Sequence, residues 1–175
     1  MFLKNTAYFY FILLIGVFVT ACKKAPNYAK EPVIELAELK IVSDTIYPPD
    51  EAPLYIDSIY FIVHFQDGDG DIGNDQTENK DFIVNVYKKE AGIYTYMDME
   101  DFDFGGNLPK FSDFVGPLDG TITQVTPLPY IEITNPFITF KKDDTLRFEI
   151  QLKDRANNYS NIITTPDYIV WKNFE

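Results

Sequence analysis

Between Thr145 and Lys153 the chain alternates without a break: Leu146, Phe148, Ile150 and Leu152 are apolar, while Arg147, Glu149, Gln151 and Lys153 are polar. A period of two belongs to a strand, and a strand of this kind buries one face only by joining a sheet whose other face meets water. The same period governs a segment from about Tyr55 to Gln66, with Ile59, Phe61, Val63 and Phe65 on one side and Tyr60, Ile62, His64 and Gln66 on the other. Fifteen Phe and 12 Tyr, spread among many Ile, Val and Thr, fit pleated, half-buried strands better than helices.

The remaining pattern extends this reading. Ile34 and Leu36, followed by Leu39 and Ile41 after a one-residue slip, predict a first strand carrying a bulge. Pro48, Pro49 and Pro53 then stop any ladder, because proline has no amide hydrogen and fixes φ. Phe82, Val84 and Val86 alternate with Ile83, Asn85 and Tyr87, and a turn over residues 88–92 leads into residues 93–96 as a hairpin. Residues 97–120, rich in Asp, Phe, Gly and Pro, read as a long excursion. Pattern returns over 121–134, where Pro127 and Pro129 point to an edge strand or one that changes sheet. A polar turn over 154–160 closes a terminal hairpin whose second arm covers 161–165 and 168–171. About seven short strands, with turns between them and no convincing helix, predict an all-β, immunoglobulin-like two-sheet β-sandwich.

The N-terminus carries a different signal. A short basic start at Lys4, an apolar run from Ala7 to Val19 and small residues before Cys22 make a signal peptide in outline. The run is shorter than the roughly 20 apolar residues that span a bilayer. Cys22 is the single cysteine, so internal disulfides and multi-cysteine zinc sites are excluded. It follows Val19, Thr20 and Ala21, which resembles the lipobox of bacterial lipoproteins, where the cysteine is acylated and becomes the first mature residue. Residues 1–21 are then a lipoprotein signal peptide, 22–31 a tether and 32–175 the sandwich domain. Several acyl chains, at about 0.8 kcal/mol per buried methylene, hold such a domain to a membrane permanently. No Asp adjoins the cysteine to suggest inner-membrane retention, so the expected address is the outer membrane, with periplasmic and surface-exposed placements both open. A formal charge of −12 argues against nucleic acid as a partner, because its phosphates would be repelled, and against simple electrostatic adsorption on anionic lipid.

The strand ending near Gln66 runs directly into Asp67-Gly68-Asp69-Gly70-Asp71-Ile72-Gly73-Asn74-Asp75. Four like charges this close repel one another, so a compact loop needs either a cation among them or separate solvation of each. Asp67, Asp69 and Asp71 at alternate positions offer hard oxygen ligands, and the glycines allow a tight bend, so the candidate ion is calcium. If the strands before Asp67 and before Asp154 are the second and sixth of an immunoglobulin-like sandwich, both loops lie at one end, and Asp154 and Asn157 become further ligand candidates. An EF-hand is rejected: Ile72 stands where that motif needs glycine, and a strand precedes the loop. The competing interpretation is a solvated Asp-Gly turn without an ion.

Taken together, the Val-Thr-Ala-Cys start, the strand entering Asp-Gly-Asp-Gly-Asp-Ile-Gly and the closing segment 153–161 resemble the small lipoproteins common in the Bacteroidota. The closing segment also resembles the last hairpin of many bacterial immunoglobulin-like domains, with Asn157 where those have glycine; asparagine also tolerates left-handed backbone angles. The resemblance implies fold and address, and no enzymatic activity.

Catalysis finds little support in the residues. His64 is the only histidine and lies on a strand, and assigning Cys22 to lipid removes a cysteine–histidine pair. Tyr94, Tyr96, Phe102 and Phe104, interspersed with carboxylates, suggest a ligand-binding face of the kind sugar-binding modules use; against it stands simple packing of the rings over a sheet edge. The expectation is therefore a lipid-anchored binding or structural module, calcium-stabilised and non-enzymatic, reaching the membrane through its anchor and an envelope protein or glycan through its surface. An envelope hydrolase using clustered carboxylates and a carbohydrate-binding accessory lipoprotein are the alternatives.

Overall fold

A computed structural model describes residues 26–50, 52–74, 80–99, 102–110, 116–130 and 141–174. Among them there is no helix. Eight strands form two antiparallel sheets: β1 (Val33–Ile46), β2 (Leu54–Asp67), β3 (Phe82–Glu90), β4 (Ile93–Met97), β5 (Leu118–Pro129), β6 (Thr145–Leu152), β7 (Ile163–Thr164) and β8 (Tyr168–Ile169). One sheet has the order β1-β2-β5 and the other β4-β3-β6-β7, with β8 also paired to β6.

The alternating residues face where their period directs them. Ile59, Phe61, Val63 and Phe65 of β2 are buried, as are Leu146, Phe148, Ile150 and Leu152 of β6. The two sets meet in a single core, where the Phe61 ring packs edge-on to Phe148 at 5.1 Å and tilted to Phe82 at 6.4 Å. Each such side chain, fully withdrawn from water, contributes about 1.5–3 kcal/mol. The slip in β1 is a register shift between Leu36 and Glu38, which keeps Leu36, Leu39 and Ile41 packed against the core. β5 is an edge strand, so the missing amide hydrogens of Pro127 and Pro129 leave no gap inside the sheet. The β3–β4 hairpin turns on Ala91 and Gly92, both at positive φ (49° and 87°), so its strands run longer than the five-residue turn expected there.

β7 and β8 are two pieces of one edge interrupted at Thr165. There the Thr165 amide donates to the Phe148 carbonyl, and its hydroxyl oxygen accepts from the Phe148 amide, so β6 keeps both bonds across the break.

Candidate metal centre

β2 delivers Asp67 into the acidic loop at the end of its inward-facing row, so this carboxylate is fully buried. Gly70 makes the next bend at φ 75°; a Cβ there would sit 2.2 Å from the Gly116 carbonyl oxygen, so only glycine fits. The bend brings one carboxylate oxygen each from Asp67, Asp69 and Asp71 within 4.8 Å of one another. Oxygens on opposite sides of a calcium ion stand about 4.6–5.2 Å apart, so the span suits that ion.

The hydrogen bonding around these oxygens is one-sided. Oδ2 of Asp67 accepts the Asp71 amide at 2.9 Å, and Oδ2 of Asp71 accepts the Ala156 amide at 3.0 Å. Among the described residues, Oδ1 of Asp67, Asp69 and Asp71 are all buried with no partner. Burying a charged oxygen without a donor is costly, and a proton or a cation at these atoms would relieve that cost. Burial raises the pKa of Asp67 above its ordinary value against the lowering effect of the Asp71 and Gly70 amides. Burial, then the charges of Asp154, Asp69 and Asp67, push Asp71 up to about 6.

The turn after β6 braces this loop from the facing sheet. Ile72 bridges to Asp154, the Arg155 amide donates to the Asp71 carbonyl at 3.1 Å, and the Arg155 guanidinium donates to the Gly73 carbonyl at 2.9 Å. The two loops therefore share one end of the molecule, as their strand positions imply. Asp154 is buried beside the triad, close enough for its charge to raise Asp71, yet its own oxygens are engaged: Oδ1 accepts the Asn158 amide at 2.7 Å and Oδ2 the Asn158 side chain at 2.8 Å. Asn157 takes φ 68°, the left-handed angle that lets this turn close. Three of the four expected metal ligands thus converge, and the fourth holds its own turn.

Asp81 escaped the sequence reading. It is buried, its pKa is raised by burial, and its Oδ2 has no partner among the described residues. A single Asp ahead of a strand carries no spacing signal that would have found it.

The four aromatic candidates do not form one face. Phe104 is 1% exposed and sits in the core, 5.1 Å from the Phe148 ring, so a ligand cannot reach it. That corrects its assignment to a binding surface, and the cause is long-range: the 102–106 segment folds inward, with Gly106 and Phe82 exchanging backbone bonds. Tyr94 is tied up by the Asp167 carboxylate, 2.6 Å from its hydroxyl, and by the Arg147 guanidinium stacked 3.9 Å from its ring centre. Tyr96, 55% exposed, and Phe102 line an open cleft of about 280 Å³ with Lys80, Asn85, Met97 and Asp103. His64 is held by the Gly120 carbonyl, 2.8 Å from Nδ1, with Asp119 3.4 Å from Nε2. Cys22 lies outside the described residues, and among those described no helix is long and apolar enough to cross a membrane.

What the fold and site define is a class: an all-β protein of two packed antiparallel sheets, with a convergent aspartate triad at one end. No protein-family model, curated protein or solved structure matches the chain.

Proposed function

We propose that this protein is a lipid-anchored, immunoglobulin-like module of the bacterial outer envelope, serving in binding or support and stabilised by calcium in its acidic loop. The observation that carries the calcium reading is the set of three buried Oδ1 atoms on Asp67, Asp69 and Asp71 that have no partner among the described residues. All three are hard oxygen donors, which suits calcium; magnesium retains its waters and demands a stricter octahedron. The strand order β1-β2-β5 facing β4-β3-β6-β7 supports an immunoglobulin-like sandwich. The Val-Thr-Ala-Cys sequence ending at Cys22 supports the anchor. The cleft beside Tyr96 and Phe102 is where an envelope glycan or protein segment would dock.

No catalytic residue is assigned. His64 is engaged through both ring nitrogens on a strand.

Thermal melts of the wild type in chelator, calcium and magnesium at matched ionic strength test the ion. Calcium should raise the melting temperature, magnesium should raise it less, and identical melts in all three would remove the metal from the reading. For the anchor, Cys22→Ser should release the protein from the membrane fraction and abolish incorporation of a fatty-acid probe; unchanged labelling would refute it.

A further inference from the structure

We infer that the acidic-loop end of the sandwich faces the lipid bilayer, with the opposite end turned away; this rests on the proposed acylation of Cys22. The observation is where the leader lands. Its last residues do not hang free: the carbonyl oxygens of Tyr28 and Ala29 lie so near Gly68 that a Cβ on that glycine would stand 2.5 Å from each. The Tyr28 hydroxyl donates to Asp119 Oδ2 at 2.7 Å, and the same oxygen accepts the Gln66 side chain at 2.9 Å. The leader is therefore seated on the acidic loop before β1 begins at Val33.

Only six residue steps separate Cys22 from Tyr28, a reach of about 20 Å at full extension. The far end of the domain, where β2 starts at Leu54, lies at the other end of a 14-residue strand, roughly 43 Å away at about 3.3 Å per step. A tether shorter than the domain, fixed to one end of it, holds that end toward the membrane. The layer this end faces is thus the headgroup layer of the bilayer, with the acyl chains and not the acidic surface supplying the attachment. An ion among Asp67, Asp69 and Asp71 would lower the negative charge turned toward anionic headgroups.

The test uses the full acylated chain in phosphatidylcholine–phosphatidylethanolamine vesicles bearing a headgroup-attached energy acceptor. Donor dyes are placed on Ala156→Cys, exposed beside the acidic loop, or on Tyr47→Cys, 77% exposed beyond the end of β1 at the far end. Greater donor quenching at position 156 than at 47, at every acceptor density, is expected. Gly68→Ala should unseat the leader, shrink that difference and speed tryptic cleavage at Lys30. Co-flotation with the vesicles and equal or reversed quenching would overturn the orientation alone. Failure to co-float would overturn both the anchor and the orientation.

Discussion

Strand β2 carries two buried aspartates on the same inward row, ten residues apart, and they are finished in opposite ways. Asp57 is 1% exposed and fully supplied with donors: the Ser43 hydroxyl reaches Oδ1 at 2.6 Å, while the Trp171 amide at 3.0 Å and the Tyr168 hydroxyl reach Oδ2. Burial, then the bond to Asp57, drives the Tyr168 hydroxyl far above the usual phenol range, so it stays a donor. Asp67 is equally buried, yet among the described residues its Oδ1 meets no donor, and the charges nearest it include the carboxylates of Asp69 and Asp154. One end of the strand closes its charge with protein groups; at the other, one carboxylate oxygen has no partner among the described residues. The same residue type at the same burial can thus be satisfied or left wanting, and the number of donors in reach decides which.

The most severe test of that contrast is Asp57→Ala. It strands the Tyr168 hydroxyl and the Trp171 amide in the core, so denaturant unfolding should show a loss of about 3–5 kcal/mol. The loss should be the same with and without calcium. A loss that calcium restores would mean the two ends are not independent.

Next in size is the response of the open end. With a dissociation constant of about 0.1 mM, at the tight end for extracellular modules, 2 mM calcium adds about 1.8 kcal/mol and several degrees of melting temperature. Asp67→Asn should abolish this gain while Ser43→Ala, at the closed end, should leave it intact. Equal gains in both variants would break the comparison.

Acid titration sharpens it further. Asp67 and Asp71 have folded-state pKa values raised above the ordinary range, Asp71 to about 6, so protons favour the folded state. The stabilising effect of Asp71 is complete below about pH 4 and disappears as pH rises through about 6, and Asp67 acts in the same direction. In chelator the melting temperature should therefore fall by a few degrees between pH 4 and 6.5 relative to the Asp71→Asn variant. Calcium, which needs the deprotonated oxygens, should give its larger gain at the upper end of that window. A rise with pH in the ion-free wild type relative to that variant would contradict the crowding of charges described here.

The smallest effect is Asp69→Asn without calcium. Removing one repelling charge from the cluster should raise stability by up to about 0.5–1 kcal/mol in chelator melts, while the calcium response is blunted. Destabilisation there would mean Asp69 serves the loop as a hydrogen-bond acceptor and not as a spare charge.

Much of the fold was legible because strands announce themselves locally. The two-residue period assigned the inward rows of β2 and β6, the slip after Leu36 marked the bulge, and Pro127 and Pro129 marked β5 as an edge. The triad was legible for the same reason, since Asp67, Asp69 and Asp71 lie within five residues and converge through one glycine-rich bend. The tertiary structure decided everything that depends on distant neighbours. Asp57 and Tyr168 are 111 positions apart, Tyr28 and Asp119 are 91 apart, and no periodicity links either pair. Phe104 looks like any surface aromatic in the sequence, and only the inward fold of its loop onto Phe148 makes it core. Asp154 looks like a fourth ligand in the sequence, and only the structure shows that the convergent group is Asp67, Asp69 and Asp71 while both Asp154 oxygens accept from Asn158. Side-chain period is a property of one strand, whereas burial and donor count are sums over everything packed against a residue. The sequence by itself therefore determined which residues face inward, and the packing determined which of the inward charges are satisfied.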